Sequence, residues 1–212
     1  MNVVGFSAGC VGREGNVDRM VKAILEKSGS EHEFVKLTDL TYSGCKGCVQ
    51  LCAKPLVCKL EDDLMPYYEK VKAADAVVVG SPVYFGSVNA ATCAFIERFF
   101  GYRHVKCAIA GKPFVLVIGA GLPRKGLADQ FAGLLAPFEV DIVDTVMYRT
   151  SIPPCFKCGL HKVCTIGGMY KVLGEAAHTL EVTPEMFKVW EDHPETVAAV
   201  DAAAGKLKTL KR

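Results

Sequence analysis

Val3-Val4-Gly5-Phe6-Ser7-Ala8-Gly9-Cys10-Val11-Gly12-Arg13-Glu14-Gly15-Asn16-Val17 joins a short apolar run to a glycine-rich loop and the first position of a periodic stripe. Residues 3–6 are too few for a helix, and their valines suit a strand buried on both faces, the pattern of parallel sheets. From Val17 the apolar positions fall at Met20, Val21, Ile24 and Leu25, the i, i+3, i+4, i+7, i+8 spacing of an amphipathic helix. The unit is strand, loop, helix, and it recurs. Further strands are expected at residues 34–37, 76–79 and 114–118, with a more polar edge strand at 140–146. Further helices are expected at 64–74, 90–100 and 127–135.

Five such repeats predict a three-layer α/β sandwich with right-handed crossovers and a five-stranded parallel sheet in the flavodoxin-like order 2-1-3-4-5. In such a sheet the ligand crevice lies beyond the carboxyl ends of the strands, beside the first one. The repeat accounts for a domain over residues 1–150, interrupted by a cysteine-rich insertion at 43–59. Residues 151–212 hold a second cysteine-rich loop and a helical extension with starts at Thr183-Pro184-Glu185 and His193-Pro194-Glu195. Val197, Val200, Ala204 and Leu207 form a stripe there suited to packing or dimerisation.

The 212 residues are 50% apolar and 23% charged, with 25 Lys+Arg against 23 Asp+Glu. That is the balance of a folded domain. It lacks the basic run that nucleic acid or an anionic membrane would call for, so neither is expected as a partner. MNVVGFSAGC has no basic leader, no apolar run approaches a membrane span, and the chain is expected in the cytoplasm. Ten cysteines in a reducing compartment point to metal or redox chemistry more than to disulfides.

Three loops follow strands at the ligand-binding edge. Residues 7–17 feed a helix amino end, where backbone N–H groups and the helix dipole make an anion cradle; Arg13 adds a charge. The loop is neither GxxxxGK[ST] nor GxGxxG, which speaks against ATP and a Rossmann dinucleotide. The second loop, Gly80-Ser81-Pro82-Val83-Tyr84-Phe85-Gly86-Ser87-Val88-Asn89, presents two aromatics that either pack or offer a face to a flat ligand. The third is Gly119-Ala120-Gly121-Leu122-Pro123-Arg124-Lys125-Gly126.

These three segments resemble the flavin-binding segments of the NADPH-dependent FMN reductases of the flavodoxin superfamily, and most nearly the iron-sulfur flavoprotein subgroup. The resemblance covers the first 150 residues or so; Ser81 to Ser87 is its most specific part. It implies that Ser7, Arg13, Gly15, Asn16 and Val17 hold the FMN phosphate. Pro82, Val83, Tyr84, Phe85, Gly86 and Ser87 would take the isoalloxazine and ribityl, and Gly119, Ala120 and Gly121 the ring edge. Val17 departs from the family, which carries a hydroxyl there, so only its backbone N–H can serve.

Cys45-x2-Cys48-x3-Cys52-x5-Cys58 gathers four thiols within fourteen residues, enough for one tetrahedral or cubane centre. The resemblance implies a [4Fe-4S] cluster; structural zinc and free or disulfide-forming thiols are the alternatives. The spacing between Cys48 and Cys52 is one residue longer than in that subgroup. Cys155-x2-Cys158-x5-Cys164, with His161 in the gap, is either a second metal or cluster site or a loop closed by one pair.

The expected function is a flavin-dependent oxidoreductase or electron-transfer protein passing electrons between FMN and a [4Fe-4S] cluster. Its donor would be NAD(P)H or a ferredoxin-like protein, and its acceptor a small molecule or protein. No side chain is expected to be catalytic, because the flavin carries the chemistry. The resemblance further implies a homodimer or homotetramer. One alternative is an NAD(P)H-dependent FMN or quinone reductase without a cluster; another is a non-catalytic zinc-binding or redox-responsive interaction protein.

Overall fold

The structure is a computed structural model that describes residues 1–121, 125–150 and 154–210. Its sheet follows from alternation along short apolar strands. Strands β1 (Asn2–Ser7), β2 (Glu31–Lys36), β3 (Ala76–Tyr84), β4 (Pro113–Ala120) and β5 (Asp141–Arg149) pair in parallel in the spatial order 2-1-3-4-5. This is the order the repeat predicts. Successive residues of β1, β3 and β4 point to opposite faces, so each face needs its own cover.

Helices α1 (Asn16–Lys27), α2 (Met65–Ala73), α3 (Ala90–Glu97), α4 (Leu127–Leu135) and α5 (Pro194–Thr209) supply it. On one face, Val4, Phe6, Val77, Val79, Leu116 and Ile118 pack with Tyr68, Phe95, Phe131 and Leu135 of α2, α3 and α4. On the other, Val3, Val78, Val115 and Val117 pack with Met20, Val21 and Ile24 of α1 and with Val200, Ala204 and Leu207 of α5. The C-terminal stripe is therefore a packing element. It completes the second face of the sheet over β5 and α1, where Trp190 is buried too.

Three expectations shift in detail. β3 and β5 run to Tyr84 and Arg149, past their apolar runs, because ladder pairing carries them on. The helix expected over 90–100 ends at Glu97 and tightens into a 3-10 turn over Arg98–Tyr102. Thr183-Pro184-Glu185 starts only the 3-10 turn Pro184–Met186. Leu122, Pro123, Arg124, Ile152, Lys211 and Arg212 lie outside the described residues.

Candidate flavin crevice and cysteine loops

Ser7 ends β1 fully buried, and its hydroxyl donates to Asp18 Oδ1 at 2.6 Å. Asp18 stands in the first turn of α1, also buried. Its Oδ2 accepts the Gly15 N–H at 2.8 Å and lies 3.3 Å from Lys36 Nζ. A carboxylate of the chain itself thus braces the loop at the positive end of the helix. Ser7 has one hydroxyl proton to give and Asp18 receives it, so Ser7 cannot also donate to a phosphate. Asn16 Oδ1 accepts from Arg19 Nη2 at 2.8 Å and from the Trp190 N–H at 3.2 Å, leaving its amide N–H2 to donate elsewhere.

Further round the loop, the backbone N–H groups of Cys10, Val11, Gly12, Arg13 and Glu14 have no acceptor among the described residues. Five such donors beside a helix amino end fit a phosphate. Arg13 is exposed, with Nη2 3.4 Å from Cys10 Sγ.

The second loop is a hairpin. β3 turns at Phe85-Gly86 and returns through Ser87–Val88, with Tyr84 opposite Ser87. Phe85 and Gly86 have φ of +51° and +81°. Two positive φ values at the centre of a two-residue turn suit Asn-Gly, and an aromatic in the first place is strained. Phe85 is fully exposed and Tyr84 half-exposed, whereas Pro82 and Val83 are half-buried. Partial burial and the neighbouring Cys10 push the Tyr84 phenol up, so the hairpin and the first loop meet at Cys10.

The two loops are also tied from below by Asn89, which caps α3. Its Oδ1 accepts the Thr92 N–H at 3.0 Å and its Nδ2 donates to the Ala8 carbonyl at 2.9 Å. An exposed ring on a strained turn, above a loop of unpaired N–H groups, fits a flavin mononucleotide.

In the third loop, a Cβ on Gly119 would lie 2.6 Å from Val17 Cγ2, so this glycine also lets α1 close onto the sheet. Ala120 is buried, and its carbonyl accepts the Thr150 N–H at 2.8 Å; Gly121 is exposed.

The first cysteine loop lies against the far end of α3. The Cys45 N–H donates to Glu97 Oε2 at 3.2 Å, Cys52 Sγ is 3.1 Å from His104 Nε2, and Arg98 Nε donates to Cys58 Sγ at 3.1 Å. Arg98 is fully buried. Its other nitrogens reach Asp62 Oδ2 at 2.5 Å and the Ser43 carbonyl at 2.9 Å, closing both ends of the loop onto one guanidinium. Burial opposes its charge, but Asp62 and Cys58 outweigh burial and raise its pKa. Burial also raises the Cys52 thiol, and the neighbouring Cys48, Cys58 and Cys45 add to it.

Four thiols carried by one loop fit an iron-sulfur cluster in donor chemistry. Among the described residues, however, no three Cys, His, Asp or Glu side chains are arranged to hold a metal, and two of these sulfurs contact His104 and Arg98 instead. Cys155, Cys158 and Cys164 belong to the segment after β5 and form a separate group.

Asp18, Asn89, Arg98 and His104 are absent from the sequence-based site. Asp18 three residues after Gly15 and Asn89 just before a helix are recognisable capping positions. Arg98, a lone charge among Phe95, Phe99 and Tyr102, is a weaker signal, and His104 carries none.

The family model for NADPH-dependent FMN reductase matches residues 1–136. An iron-sulfur flavoprotein of Methanocaldococcus jannaschii is 37% identical over 101 residues, 46% of this chain and 51% of that protein. One from Archaeoglobus fulgidus is 35% identical over 108 residues, 51% of this chain and 52% of that protein. The chain spans about half the length of these curated relatives. The solved structure of RosB with the bound intermediate 8-demethyl-8-formylriboflavin-5'-phosphate superposes with a TM-score of 0.62 at 13% identity, covering 99% of this chain and 78% of that one, which bears on the fold alone. With the family model spanning the sheet through β4 together with helices α1 to α4, the chain belongs to the NADPH-dependent FMN reductase family.

Proposed function

We propose that this chain is an FMN-dependent oxidoreductase that exchanges electrons between its flavin and a [4Fe-4S] cluster held by Cys45, Cys48, Cys52 and Cys58. One observation supports the pairing. α3 has the Tyr84–Ser87 hairpin and Asn89 at its amino end and the four-cysteine loop, through Glu97 and Arg98, at its carboxyl end. Eight residues separate the two by about 12 Å along the helix.

FMN accepts two electrons together and releases them singly, whereas a cluster carries one, so the pair connects a two-electron donor to one-electron carriers. The backbone of Cys10 to Glu14, with Asn16 and Arg13, would bind the phosphate. Tyr84 and Phe85 would cover the ring and keep water from it. Arg98, fixed by Asp62, would hold positive charge against Cys58. NAD(P)H fits as donor, since a nicotinamide stacks on an exposed flavin without a site of its own. A ferredoxin-like donor, a cytoplasmic location and a homodimer or homotetramer complete the reading. Among the described residues no helix is long and apolar enough to cross a membrane.

The cluster-free FMN or quinone reductase draws support from the engagement of Cys52 with His104 and Cys58 with Arg98. Purification without oxygen, a visible spectrum and quantification of FMN, iron and sulfide per chain separate the two. Flavin with iron and sulfide supports the proposal, flavin without iron supports the reductase, and absence of flavin overturns both.

A further inference from the structure

The segment Cys155-Phe156-Lys157-Cys158-Gly159-Leu160-His161-Lys162-Val163-Cys164-Thr165-Ile166-Gly167 follows β5 and takes no part in either centre proposed above. Its sulfurs share one feature. Each accepts a backbone N–H: Cys155 from Met169 at 3.5 Å, Cys158 from Leu160 at 3.5 Å and Cys164 from Gly167 at 3.1 Å. Backbone N–H groups aimed at sulfur are also the surroundings of metal-bound sulfur, where they orient and tune the ligand. Cys155 and Cys158 lie on the single helical turn Pro154–Cys158. The chain then reverses at Gly159, with φ of +73°, which brings the Leu160 N–H back onto Cys158.

Cys155 and Cys164 face one point. A Cβ on Gly167 would stand 3.0 Å from one sulfur and 3.1 Å from the other, so any larger residue would fill the space between them.

His161 supplies an independent observation. It is 7% exposed, and its Nε2 lies 3.0 Å from the Leu180 carbonyl. A carbonyl only accepts, so Nε2 carries the proton and Nδ1 holds the lone pair. That Nδ1 is buried and has no hydrogen-bond partner. A histidine with one ring N–H donated to a carbonyl and the other nitrogen bare has the tautomer of a metal ligand. A bare buried acceptor is also costly unless something binds it.

We propose that Cys155, Cys158, Cys164 and His161 Nδ1 form a Cys3His zinc site, separate from the flavin and from Cys45, Cys48, Cys52 and Cys58. Three thiolates and a neutral imidazole are a closed structural donor set for this borderline-soft ion, with no position left for substrate. Among the described residues no three such donors are arranged around one point, so zinc would draw these four together and release the thiol protons. The site would clamp residues 155–167, which follow β5 in the sequence.

The test uses the full chain with Cys45, Cys48, Cys52 and Cys58 replaced by Ser, titrated with Co2+ as a spectroscopic stand-in for zinc. One Co2+ per chain with tetrahedral d–d bands and sulfur-to-metal charge transfer is expected. Cys155→Ser or Cys164→Ser should abolish these bands, and His161→Ala should weaken binding by about tenfold or more. No cobalt binding, or binding that survives loss of Cys155 and Cys164, overturns the site; binding indifferent to His161→Ala overturns the fourth ligand.

Should the four-serine chain fail to fold, the unaltered protein decides. Cys155, Cys158 and Cys164 should resist alkylation, mapped by mass spectrometry, until a chelator removes zinc. Protection lifted by a thiol reductant and not by a chelator would mean a disulfide, and iron at these three cysteines would mean a cluster. Either result, or no protection at all, overturns the proposal.

Discussion

At the scale of single residues, the phosphate loop is governed by the carboxylate of Asp18. It is buried, accepts hydrogen bonds from the Ser7 hydroxyl and the Gly15 N–H, and sits 3.3 Å from Lys36 Nζ. Ser7→Ala removes a donor from a buried carboxylate and should cost about 1–3 kcal/mol in urea unfolding. Because Ser7 has no proton left for a phosphate, the same change should move the FMN dissociation constant by less than about threefold, within the few tenths of a kcal/mol expected of a group that makes no contact. Asp18→Asn withdraws a negative charge from the cradle and leaves Lys36, still held by the Arg13 carbonyl, without its counter-ion. It should tighten FMN binding by a factor of about 3 to 10 at low salt, fading as salt rises. Weaker FMN binding by Asp18→Asn in fluorescence titrations would mean that the carboxylate organises the cradle and does not compete within it.

At the scale of elements, two local structures decide how the site is held. The hairpin carries an aromatic where Asn is at home. Phe85→Asn should therefore stabilise the flavin-free chain by about 1 kcal/mol while weakening FMN binding about tenfold, a split that separates backbone strain from ring contact. The second structure is the turn after α3, where Arg98 ties Ser43, Cys58 and Asp62 together. Arg98→Met leaves Asp62 facing an apolar pocket and should cost about 3–5 kcal/mol, most of it recovered in the Arg98→Met, Asp62→Leu double variant. An equal loss in the double variant would locate the energy in Cys58 and Ser43 instead.

These elements also mark where sequence reasoning reaches its end. The helix from residue 90 was legible from pattern, though expected to run to 100 and without its Asn89 cap, but the guanidinium that gathers a loop 36 to 55 residues away was not, since periodicity carries no information on long-range polar pairing. Gly119 shows the same limit. A glycine in a ligand-side loop reads as close approach to a ligand, yet here the close neighbour is Val17 of a helix a hundred residues earlier.

At the scale of the whole molecule, the order 2-1-3-4-5 was readable because each β-strand is short, apolar and buried on both faces, and short-range pattern is enough for that. The closing role of α5 was less so, because its alanine-rich stripe suits a core or a partner equally, and only the open face over β5 decides between them. The core that results holds phenols as well as hydrocarbon. Tyr102 donates to the Tyr68 carbonyl at 2.6 Å, the two rings lie 5.1 Å apart, and burial pushes both phenols up, far above their ordinary value near 10. A raised folded-state pKa means that the native form holds its proton more tightly than the unfolded chain does. The stabilisation is therefore fully present below about pH 10 and is lost as pH rises past it. Of the seven tyrosines, Tyr68 and Tyr102 should give no phenolate absorbance until the helical circular dichroism collapses, and the two signals should share one steep midpoint. A gradual titration of all seven near pH 10 with the dichroism intact would place these two phenols in contact with water and remove them from the core.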